Sequence, residues 1–134
     1  MGLYSGLLST QDSSDIPVML TGTSASSGNK ANASAAASIA AQPGMTAYVT
    51  GFQVTACGAT AANAVTVALA GVAGGTLSYA FAYPAGATVA ALNLVVSFYP
   101  ALAASGLDTA ISITLPPSGS GGTNAAVSIQ GFYL

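Results

Sequence analysis

The sequence predicts an all-β fold: an antiparallel β-sandwich, jelly-roll-like, with about eight strands and an extended N-terminal arm. Three observations predict it. From Thr46 onward large apolar residues recur at every second position, the alternating runs are short, and clusters of Gly, Pro, Asn and Ser separate them. Short strands with regular turn signals belong to sandwiches and barrels, and a count near eight suits a jelly roll. The 134 residues fit one domain, since most domains hold about 50–250 residues. A chain of this size buries roughly two-thirds of its unfolded surface, enough for a core.

Residues 1–30 read as an extended arm and linker, and residues 31–134 as the sandwich. Met1 to Leu20 carries Asp12, Asp15, an apolar cluster of Leu3, Tyr4, Leu7 and Leu8, and the short run Ile16 to Leu20. The cluster is the candidate partner-docking site. An arm of this kind pays its ordering entropy only on binding. Ile16 to Leu20 either belongs to the arm or adds an edge strand. Thr21 to Lys30 is rich in Ser, Thr, Gly and Asn, and reads as a linker or long loop. Ala31 to Ala41 has helical propensity but no stripe of large apolar residues, and helices this short are marginal alone. Extended chain leading to a strand near Ser38-Ile39-Ala40 is the better reading.

Six strands follow. Tyr48, Phe52 and Val54 fall on one face, with Val49, Gln53 and Thr55 on the other. Val65, Val67 and Leu69 alternate with Thr66, Ala68 and Ala70. Leu77, Tyr79, Phe81 and Tyr83 alternate with Ser78, Ala80 and Ala82. Leu92, Leu94, Val96 and Phe98 oppose Asn93, Val95 and Ser97. Ile111, Ile113 and Leu115 oppose Ser112 and Thr114. Val127, Ile129 and Tyr133 oppose Ser128 and Gln130. The punctuation between them is Cys57-Gly58 to Asn63, Gly71 to Gly75, Pro84 to Gly86, Pro100 to Asp108, and Pro116 to Asn124.

Charge excludes whole classes of function. There is one cation, Lys30, against Asp12, Asp15 and Asp108. His is absent, and 3% of residues are charged, where roughly a quarter is usual. General acid–base catalysis draws on His, Glu, Asp or Lys, and phosphate neutralisation on several Lys or Arg. Neither an enzyme nor a nucleic-acid binder is expected. Asp12 and Asp15 supply too few oxygens for calcium, which takes six to eight. Asp108 reads as a turn residue bonded to its own backbone. Cys57 has no basic neighbour in sequence and reads as a structural thiol. Ser118 to Gly122 lacks the Lys and helix of a phosphate-binding loop. No catalytic residue, cofactor or metal is therefore expected.

A mean hydropathy of +0.67 raises the question of a membrane. The best span, Ala85 to Ala104, contains Thr88, Asn93, Ser97 and Pro100, has no flanking Lys or Arg, and alternates as a strand does. No membrane partner is expected. The first residues lack the basic start and long apolar run of a signal peptide. One Cys gives no intrachain disulfide, and Asn32-Ala33-Ser34 is a chance glycosylation match. Synthesis in a cytoplasm is expected.

Ala31 to Leu107 carries no charge at all. Solvent-facing strands usually carry Lys or Glu, partly against edge pairing. Their replacement by Ala, Ser, Thr and Gly predicts outer faces covered by other subunits.

The stretch from Pro43 to Leu134 resembles small decoration (cement) proteins of tailed-bacteriophage capsids. The resemblance lies in Pro43-Gly44-Met45-Thr46-Ala47-Tyr48-Val49-Thr50-Gly51-Phe52-Gln53-Val54-Thr55 and the Gly-Ala-Thr-Ala-Ala loop at 58–62. It continues in Val65 to Leu69, Pro84 to Thr88 and Ala126 to Tyr133. It implies a structural virion protein on the outside of a phage head, assembled in the host cytoplasm. Its partners would be the major capsid protein and further copies of itself, as a homotrimer. The alternative is a carbohydrate-binding or adhesive module of a fibre or cell surface, with Tyr79, Phe81, Tyr83 or Tyr99 as stacking platforms.

Overall fold

A computed structural model of the chain describes residues 21–86, 92–118 and 124–134. The arm candidates Leu3, Tyr4, Leu7 and Leu8, with Ile16 to Leu20, lie outside the described residues. The rest forms eight strands: β1 (Thr23–Ser26), β2 (Ala35–Ile39), β3 (Ala47–Cys57), β4 (Asn63–Ala70), β5 (Leu77–Tyr83), β6 (Leu92–Ala103), β7 (Ile111–Leu115) and β8 (Asn124–Tyr133). One four-stranded sheet runs β1-β8-β3-β6 and the other β2-β7-β4-β5. Every pairing is antiparallel. Late strands thus sit between early ones in both layers, which is the strand order of an eight-stranded jelly roll.

The period-two pattern becomes the core. Ile111, Ile113 and Leu115 of β7 are fully buried and lie opposite Ile39, Ala37 and Ala35 of β2. Large β7 side chains beside Ile39, Ala37 and Ala35 form the inner face of this sheet. Phe52 fills the middle: its ring meets Tyr79 edge-on at 5.2 Å and Phe98 at 6.2 Å. Among the described residues no polar or charged residue type is buried. Tyr83, the one buried phenol there, donates its hydroxyl to the Pro116 carbonyl at 3.0 Å.

Four expectations change. Thr21 to Lys30, expected as linker, contains β1, which covers the free side of β8. Ser27 N–H donates to the Val127 carbonyl at 3.0 Å, and Val127 N–H donates to Ser27 Oγ at the same distance. Lys30 and Ala125 exchange two further backbone bonds. Serine-rich chain becomes strand here because the sheet supplies the pairing that propensity does not.

β3 is not one regular strand. The register against β8 slips between Val49 and Gly51, so Thr50 is an extra residue, and its Oγ1 donates to the Gln130 carbonyl at 3.1 Å. A bulge reverses the faces on one side of it. Val49 is consequently buried with Phe52, and Tyr48 faces outward to stack on Phe132, with rings 5.2 Å apart and nearly parallel. The expected assignment of these two residues was inverted.

β6 runs through Pro100 rather than stopping at it. Opposite the β3 bulge its register jumps from Ser97 to Leu102. Pro100 falls in that excursion on an edge strand, where its missing N–H costs no ladder bond. Lastly, Asp108 takes a positive φ of 55° but bonds across the molecule. Gly44 N–H donates to its Oδ1 at 2.6 Å, and Asp108 N–H donates to the Met45 carbonyl. It ties the β6–β7 loop to the β2–β3 turn.

Candidate interaction surfaces

Among the described residues the candidate sites are surfaces. The outer face of the β2-β7-β4-β5 sheet is built from Ala36 and Ser38, Ser112 and Thr114, Thr66, Ala68 and Ala70, and Ser78, Ala80 and Ala82. These side chains are all short, so the face is low in relief, and it carries no charge. The outer face of the other sheet is more polar, with Ser26, Ser128, Gln53 and Thr55 lining a shallow depression.

Apolar exposure gathers along one edge of the sandwich. There the edge strands β5 and β6 lie one over the other in the two layers. Leu77 is 37% exposed, Val95 62%, and Tyr99 fully exposed. Tyr79, Leu94, Val96 and Phe98 pack against the core without being sealed by it. A second site lies at one end of the molecule. Exposed Leu107 and Leu134 flank the Gln42–Thr46 turn, to which both neighbourhoods are hydrogen-bonded. Lys30 and Asp108 are the charged residues among the described ones. Both are exposed, and they lie in separate loops.

The aromatic residues proposed as stacking platforms separate. Phe81 and Tyr83 are buried, edge-to-face at 5.7 Å. Tyr79 turns inward onto Phe52. Tyr99 alone of the four stands free in solvent. Burial raises the Tyr83 phenol above its ordinary value of 10.0. The stacked pair Tyr48 and Phe132 on an outer face is what sequence reasoning misses, because an alternation carried straight through the Thr50 bulge puts Tyr48 on the wrong face. Gly51 was the available signal, as glycine inside a strand pattern often marks one.

Cys57, at the end of β3, is a free, half-buried thiol. Among the described residues no three of His, Cys, Asp or Glu come together in a way that could hold a metal. No helix there is long and apolar enough to cross a membrane, and much of the hydropathic stretch is β6. Compared with protein-family models, with curated proteins and with solved structures, the chain matches none.

Proposed function

We propose that the chain is a structural virion protein, a capsid decoration (cement) protein that binds the outside of a phage head and stabilises contacts between capsomers. One observation carries the reading. An eight-stranded jelly roll presents two sheet faces on which uncharged, mostly small residues stand where a free monomer would carry Lys and Glu. Such faces suit permanent burial against other subunits, where interfaces are large and less charged. The sequence resemblance over Pro43 to Leu134 supplies the shell as the partner, with further copies of the chain beside it. The carbohydrate-binding alternative loses most of its platform, since Tyr79, Phe81 and Tyr83 face the core.

The test is direct. Purified protein is added to purified heads of the source virus, and the particles are imaged by electron cryomicroscopy. The expected result is added density at symmetry-related positions on the outer shell, with heads that break open at a higher temperature. Heads that stay bare at saturating protein sink the reading.

A further inference from the structure

We propose that β5 is the seat of a two-fold contact with a second copy of this chain, pairing antiparallel to its counterpart about Ala80. Among the described residues β5 is hydrogen-bonded to β4 on one side and ends its sheet on the other. It is the edge with the fewest obstacles. β1 has four residues and β2 five, while β6 carries Pro100 and the register jump. β5 has seven residues, an unbroken register from Leu77 to Tyr83, and neither charge, proline nor bulge. Those are the devices by which sheets discourage edge-to-edge addition.

The sequence of β5 is self-complementary in this arrangement, as an isologous interface requires. A two-fold axis at Ala80 sets Ala80 against its own counterpart, and Ser78 against Ala82. These residues point outward and are exposed, so the small-residue face continues flat across the junction. On the inner side Leu77 meets Tyr83, and Tyr79 meets Phe81. Leu77 and Tyr79 are the two inward residues of β5 that the fold leaves incompletely covered, whereas Phe81 and Tyr83 are buried. Each poorly covered side chain therefore gains an aromatic cross-strand neighbour, the kind of pair that stabilises sheets. The occupant needs no charge, and this chain has almost none to give. The inference builds on the self-association in the proposed function and not on the shell. It departs from the homotrimer that the resemblance implies.

The experiment uses the full chain. Sedimentation equilibrium at micromolar concentration is expected to show a dimer, or an even-numbered assembly of dimers. A monomer or a trimer overturns the pairing. Ala80→Glu and Ala80→Lys each place like charges opposite one another, so each variant alone is expected to lose the dimer while keeping its cooperative thermal transition. Mixing the two is expected to restore it, which no partner other than a second copy would reproduce. Association unchanged in either variant overturns the proposal. A third variant stands apart from any folding defect. Ala80→Cys in a Cys57→Ser background is expected to cross-link on oxidation, because directly opposed strand residues lie within disulfide reach. Failure of a folded protein to cross-link also overturns it. A dimer that leaves heads bare sinks the decoration reading alone. A trimer that binds heads sinks this one alone.

Discussion

Gly131 sits where two layers and two strands converge. A Cβ built there runs into the Tyr48 carbonyl and stands 2.5 Å from Ile39 Cδ1. Since one obstacle is backbone, no rotamer change relieves it. Gly131→Ala is expected to cost about 1–3 kcal/mol, as overpacking does, read as a lower urea midpoint with an unchanged slope. Tyr83 carries a different signature. Its phenol is raised by burial, so on going above the ordinary value of 10.0 the unfolded chain loses its proton first. The folded state then binds more protons, and stability falls as pH rises through that region. Tyr83→Phe is expected to lose this alkaline step. At neutral pH it should cost about 0.5–1.5 kcal/mol for the bond to Pro116. Denaturant melts at neutral and strongly alkaline pH compare the two proteins, and an equal alkaline decline in both would contradict the assignment to Tyr83.

β3 shows what one residue does to an element. Deleting Thr50 removes the bulge and couples both halves of the strand into a single alternation. Val49 would then turn to solvent and Tyr48 into a core that has no room for it. Burial of a Val is worth roughly 1.5–3 kcal/mol, so with the added misfit a loss of at least about 3 kcal/mol is expected. Thermal unfolding and near-ultraviolet circular dichroism would show it, and a native-like melt would mean that Thr50 is dispensable. The same strand marks where sequence stopped being legible. β7 is read correctly from Ile111, Ile113 and Leu115 alone, because an unbroken alternation leaves one choice of face. β8 is legible for the same reason, whereas β2, expected as a strand near Ser38-Ile39-Ala40, runs over Ala35–Ile39, since its alanines give no large-residue alternation to mark where it starts. On the N-terminal side of Gly51 the alternation misleads, since an inserted residue shifts the faces there without breaking the hydrophobic period. β1 escaped notice because Thr23 to Ser26 has no large side chain, and its place is given by backbone bonds to β8. Of the candidate surfaces, the uncharged outer faces were legible from composition. The unsealed edge at β5 and β6 was not, because which strand ends a sheet depends on the order of all eight.

For the whole molecule, scarcity of charge governs how it holds a partner. Salt screens exposed charges over about 10 Å at 0.1 M, and this chain has four charged side chains in all. If the chain binds heads and itself as proposed, both associations are expected to change little between 50 mM and 1 M sodium chloride, followed by co-sedimentation with particles. Release at moderate salt would reveal a charged contact that the described surface does not display. The strand order also sets a timetable. β8 holds together β1 and β3, yet among the eight strands it is the last to leave the ribosome. Until it arrives, β1 has no neighbour and the sheet has a gap at its centre. Pairings between strands so distant in the chain are slow to form and leave unpaired edges exposed meanwhile. The charge-free edges of the two sheets are, during that interval, open to any other nascent copy. The strand that closes the sheet therefore also ends the period in which the chain is most prone to aggregate.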